Sequence, residues 1–166
     1  KSYIAPVEIG EVMRAGGIGK VVASKHAGFA PGDLVTAGLG VQEYRQFTPM
    51  EIKRQGISKI DLRMGTPAQW LNALGMPGMT AYFGLLDTGR PVAGETVVVS
   101  AAAGAVGSAA SQIARIMGCR VVGMAGGAEK ARHLTGDLRL HAAIDYKAVP
   151  DLHEALNTSA TPLNAL

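Results

Sequence analysis

Ala102-Ala103-Gly104-Ala105-Val106-Gly107 carries the spacing best suited to chemistry in this chain of 166 residues. Small residues at three places, here Ala102, Gly104 and Gly107, permit a tight strand-to-helix turn, a close backbone approach to a ligand, and close helix–strand packing. Backbone N–H groups at the helix start, with the positive end of its dipole, suit an anionic group such as a pyrophosphate. Alanine replaces the first glycine of the strict G-x-G-x-x-G pattern. The loop by itself therefore reads either as a phosphate cradle or as a tight turn without a ligand.

Its surroundings favour the cradle, because it follows an apolar run and opens a helical one. The next strand ends in Met124-Ala125-Gly126-Gly127, about 20 residues past the loop, where an NAD site places a ribose-binding acid. No acid stands there. Small residues leave room for a 2′-phosphate, and Lys130 opens the following helix, so the pattern favours NADP over NAD. Glu129 and Lys130 also fit a plain solvated helical turn.

The elements that must position these residues fall into two rhythms. Up to about residue 48 the chain reads as short strands. "GEVMRAGGIGKVVASKH" is interrupted by glycines that suggest bends or bulges, and strands are expected around Leu34–Thr36 and Val41–Phe47. Residues 48–64 read as loop and short strand. From Pro67 the pattern turns helical, through "PAQWLNALGM" and "PGMTAYFGLLDTG". "ETVVVSAA" then has the continuous apolar run of a strand covered on both faces. A helix over 105–117, the strand "CRVVGMAG", the helix "AEKARHLTG", the strand "HAAIDYK" and a short helix in "DLHEALNTSATPLNAL" follow. That alternation is a parallel α/β signature.

Composition narrows the classes. The net charge is +3, and no Lys/Arg run exceeds two residues, which argues against a nucleic-acid surface. Cys119 is the only cysteine, so neither a disulfide framework nor a cysteine-based zinc site is available. No apolar run reaches membrane-spanning length. A cytoplasmic protein without membrane partners is expected.

"IGEVMRAGGIGKVVASKHAGFAPGDLV", "GMPGMTAYFGLLDTG", "VVVSAAAGAVGSAASQIARIMGCRVVGMAGGAEK" and "IDYK" together resemble the zinc-independent medium-chain dehydrogenase/reductases, in their prostaglandin reductase/alkenal (curcumin-type) reductase branch. The resemblance covers residues 2 to about 155. It implies an α/β protein: a partial GroES-like β-barrel over residues 1–75, then the first half of a Rossmann doubly wound sheet over 76–166. The complete sheet has the order 3-2-1-4-5-6, and only strands 3, 2 and 1 are expected here, with "VVVS" at the edge. The tail "NTSATPLNAL" departs from the family's pattern.

The resemblance also implies roles. Gly104, Ala105, Val106 and Gly107 would contact the pyrophosphate of NADPH through backbone, while Lys130 and Tyr146 would hold its 2′-phosphate. Thr80 and Tyr82 would lie near the nicotinamide, although Thr80 also fits a plain helix start and Tyr82 reads better as a core aromatic. Met76, Met79 and Met124 read as core or pocket filler. Met76 stands where zinc-dependent relatives carry a ligand cysteine, and "PGDLVTAGLGVQEY" runs on without their Cys-rich lobe. His26, His133, His141 and His153 lack metal spacing, so no metal is expected.

Hydride transfer to the C=C bond of an enone or enal, with hydrogen bonding to the carbonyl oxygen, is the implied chemistry. No catalytic residue is assigned. A homodimer is the implied assembly. A quinone reductase using NADPH, and an inactive fragment that binds nucleotide or a partner chain, are the rival readings.

Overall fold

Alternating glycines build the first strand of the computed structural model, which describes residues 5–160. Strand β1 (Gly16–Lys20) pairs antiparallel with β2 (Leu34–Gly38) in unbroken register from Gly16–Gly38 to Lys20–Leu34. Residues two apart share a strand face. A Cβ on Gly17 or Gly19 would stand 3.2 or 3.3 Å from the Leu39 side chain, so these glycines seat a leucine and no bulge forms.

The expected strand over Val41–Phe47 is absent. Gly40, at φ +72°, interrupts the regular ladder, its N–H donating to Ala15 and that of Val41 to Met13, both at 2.9 Å. Arg45 then donates to the Gly38 carbonyl, stacks over Phe47 at 4.7 Å and pairs with Glu51 at 3.7 Å.

Residues 48–64 contain a helix that the sequence reading missed. Helix α1 (Pro49–Gln55) opens with a reciprocal Thr48–Glu51 capping box and proline in its first turn, and closes on Gly56 at φ +63°. The short strand β3 (Ser58–Lys59) follows, pairs with β2, and completes a sheet of order β1-β2-β3. Three carboxyl groups here sit below their ordinary range. Asp33 accepts from the Ala30 N–H and then from Lys59, Glu51 from Thr48, and Asp61 from the Arg63 side chain. Helix α2 (Pro67–Leu71) closes this first compact unit, Lys1–Leu71.

The second unit, Asn72–Leu166, opens with α3 (Met76–Phe83). Its last turn widens into a π-helical segment, Gly84–Gly89, which ends on Arg90 in the left-handed region. A parallel sheet of order β4-β5-β6 follows, from β4 (Thr96–Val99), β5 (Arg120–Ala125) and β6 (Ala142–Asp145). The connecting helices are α4 (Ala105–Ile116) and α5 (Ala128–Gly136), with α6 (Leu152–Ala160) after β6.

This is the expected half of a doubly wound sheet, in the order 3-2-1. Central β5 is the buried strand. Edge strand β4 is only partly covered, with Val98 41% exposed, which corrects the reading of two covered faces. The core gathers Ala102, Ala114, Cys119, Val121, Ala125, Leu134 and Leu140. The C-terminal carbonyls of α6 are tied to the sheet by Thr96, at 3.2 Å to Ala160, and Arg120, at 3.0 Å to Ser159. No helix among the described residues is long and apolar enough to cross a membrane.

Candidate nucleotide-binding site

The loop after β4 turns on a strained residue. Ala101 has φ +48°, a left-handed backbone that costs a side-chain-bearing residue about 1 kcal/mol. Its carbonyl accepts the Gly104 N–H at 2.8 Å, and the Ala102 N–H donates to Met124 of β5 at 2.9 Å. The turn is thereby closed on itself and tied to β5. Ala102 is fully buried.

Gly104 is the N-cap of α4, in extended conformation, and no side chain caps the helix. Among the described residues, the amides of Ala105, Val106 and Gly107 find no acceptor. Three orphan donors at the positive end of a 12-residue helix therefore face outward beside exposed Gly104 and Ala105. Gly107 serves packing instead, since a Cβ there would press on the Ala101 carbonyl and stand 2.8 Å from the Ala102 Cα. A Cβ on Gly104 would meet only the Ala101 oxygen, at 3.1 Å.

The second part of the site is where β5 and β6 end together. Register pairs Ala125 with Asp145, so Gly126-Gly127 and Tyr146-Lys147 emerge side by side. The Asp145 Oδ1 accepts the Gly127 N–H at 2.7 Å and the Lys147 N–H at 3.1 Å, clasping one turn to the other. Gly127, at φ +104°, then starts α5. A Cβ on Gly126 would stand 2.7 Å from the Tyr146 Oη and 2.9 Å from the Lys147 Cε.

Lys130 lies elsewhere. It lines an open cleft of about 560 Å³ with Ala103 of the loop and with Glu129, Arg132, His133 and Asp137. The His133–Asp137 pair, at 2.7 Å, closes one side. Among the described residues no hydrogen bond or ion pair joins Lys130 to Tyr146. The structure thus brings Gly104, Ala105, Val106 and Gly107 together at one helix start, sets Lys130 beside that loop, and sets Tyr146 over Gly126.

The sequence reading gave Asp145 and Lys147 no role, and gave Gly126 only that of leaving room for a phosphate. The consecutive "IDYK" at a strand end and the paired glycines after the neighbouring strand were the available signals.

The residues expected near a nicotinamide behave differently. The Thr80 hydroxyl donates back to Met76 at 2.8 Å. Tyr82 is no core aromatic, being 51% exposed and edge-on to Phe83 at 5.3 Å. Met76 is largely exposed, whereas Met79 joins Tyr82, Phe83, Ala109 and Ile113 along a groove of about 380 Å³ between α3 and α4. Among the described residues no three His, Cys, Asp or Glu side chains converge as a metal site would require.

Known proteins resemble this chain in sequence and fold. Residues 1–54 match the family described as the N-terminal domain of oxidoreductase. Over 147 residues the chain is 45% identical to the NADPH-dependent curcumin reductase of Escherichia coli, spanning 89% of this chain and 41% of that protein. The chain is a homologue of NADPH-dependent reductases. With mouse prostaglandin reductase 1 this homologue shares 42% identity over 156 residues, covering 91% of this chain and 45% of that one. Its fold matches that of CurA from Vibrio vulnificus in complex with NADPH, with a TM-score of 0.79, 41% identity, and coverage of 95% and 45% of the two chains. It spans less than half the length of each of these relatives.

Proposed function

We propose that this homologue is an NADPH-dependent, zinc-independent reductase of α,β-unsaturated ketones and aldehydes. The observation that carries the reading is the uncapped start of α4, where the amides of Ala105, Val106 and Gly107 have no acceptor beside a glycine whose missing side chain leaves the approach open. Those donors fit a pyrophosphate in charge and in direction. The acid-free Gly126-Gly127 turn, with Tyr146 over it, fits a phosphorylated ribose better than a free one. NADPH, when bound, supplies the hydride for the C=C bond.

The chain's own residues supply the rest. Gly104 admits the pyrophosphate, and the three amides with the α4 dipole balance its charge. Lys130, with no ion-pair partner among the described residues, reaches from its cleft as a mobile cation. The relatives' names, curcumin reductase and prostaglandin reductase, support a conjugated carbonyl as the small-molecule substrate. The same reading makes the protein a cytoplasmic homodimer.

The test is turnover. Purified protein given NADPH and a simple enone such as 3-buten-2-one is expected to consume NADPH and release the saturated ketone. Consumption with a quinone but not with the enone would contradict the substrate class. No consumption with either, despite tight NADPH binding, would contradict the reductase reading itself.

A further inference from the structure

Lys147 has an exposed ammonium with no ion-pair partner among the described residues, and its stem lies against the one glycine that Tyr146 also covers. We propose that Lys147 is a second determinant of NADPH selectivity, acting with Tyr146 on the 2′-phosphate from the end of β6. This rests on the NADPH reading above.

Four observations converge on it. The Ala125–Asp145 register brings the residue after β6 level with the turn after β5, which is where a Rossmann sheet receives the adenosine ribose. Asp145 fixes that meeting by accepting both the Gly127 and the Lys147 amides, so the backbone from which Lys147 projects is held and only its side chain is free to move. Gly126 has no side chain, and any Cβ there would collide with both the Tyr146 phenol and the Lys147 stem, so glycine keeps the two against the turn. Finally, the acid that would repel a phosphate is missing from 124–127, and Asp145 has its Oδ1 engaged by backbone.

A phenol donor and a flexible ammonium side by side make a phosphate-binding pair, one giving direction and the other charge. Lys130, in the cleft beside Ala103, then acts from the other side of the α5 start.

The experiment is a fluorescence titration of the full chain and its variants with NADPH and with NADH. Lys147→Ala is expected to weaken NADPH roughly tenfold, the effect of one partly exposed charge-assisted contact. NADH affinity is expected to stay unchanged, and Lys147→Arg to restore most of the NADPH affinity. The NADPH loss is also expected to shrink as salt rises. An unchanged NADPH affinity in Lys147→Ala, with the wild-type preference for NADPH intact, would overturn the role of Lys147 and leave the cofactor reading standing. Equal weakening of both cofactors would assign Lys147 a merely structural role and overturn the proposal. A wild-type chain that binds NADPH no better than NADH would overturn this proposal and the NADPH reading together.

Discussion

Two glycines three residues apart in one loop answer to different masters. Gly107 faces inward: the backbone of Ala101 and Ala102 fills the space where its Cβ would go, so the fold forbids any larger residue. Gly104 faces outward, in an ordinary extended conformation, with a single 3.1 Å neighbour. A Cβ at 104 asks the Ala101 carbonyl to give by only a few tenths of an ångström, whereas at 107 no small shift would make room. The contrast separates what the strand–helix turn needs to exist from what it needs to receive a ligand.

Substitutions can break that comparison. Gly107→Val should damage the fold most, because backbone cannot yield as a side chain can. About 3 kcal/mol of stability is expected to go, and a melting curve should fall by more than about 10 °C. Gly104→Val should cost far less stability than Gly107→Val while abolishing NADPH binding, as the added isopropyl group blocks the approach to the α4 amides. Similar losses of stability in both variants would erase the distinction.

Lys130→Ala sharpens the picture one step further out. It is expected to weaken NADPH roughly tenfold relative to NADH, measured by parallel titrations. Equal losses for both cofactors would remove Lys130 from the phosphate.

The smallest effect belongs to the first unit. Asp33, Glu51 and Asp61 are held below their ordinary values of 3.8, 4.5 and 3.8 by hydrogen bonds to the Ala30 N–H and Lys59, to Thr48, and to Arg63 respectively. A carboxylate depressed on folding stabilises the native state above its unfolded value. That contribution is lost as pH falls through the lowered folded value. Thermal melts should therefore decline gently below about pH 4, and a flat profile down to about pH 2 would contradict these pairings.

What was legible in the sequence divides along similar lines. The parallel half-sheet could be read because β5 is a buried apolar run and its punctuation, Gly118 after α4 and the Gly126-Gly127 pair between β5 and α5, stands in sequence where it acts. Thr48-Pro49-Met50-Glu51 also carried a complete helix start, but its polar surroundings hid the periodicity. The strand expected over Val41–Phe47 fails because its apolar residues, Val41, Tyr44 and Phe47, fall every third position rather than every second, and Arg45 bonds back to Gly38.

The glycines of β1 suggest bends in sequence because Leu39, which they accommodate, stands far along the chain, beyond the next strand. The candidate site was half visible. Loop 102–107 is local, so its spacing shows it. The meeting of Gly126 with Tyr146 and Lys147 depends on strand register and on the Asp145 clasp, neither of which spacing encodes.

The most direct test of the account is a fluorescence titration of this chain with NADPH against NADH, repeated on Gly104→Val. Saturable binding that favours NADPH in the wild type and vanishes in a variant that still folds is the predicted result. A wild-type chain that binds neither nucleotide, or a Gly104→Val chain that binds NADPH as well as the wild type, would contradict the reading of this loop as a phosphate cradle.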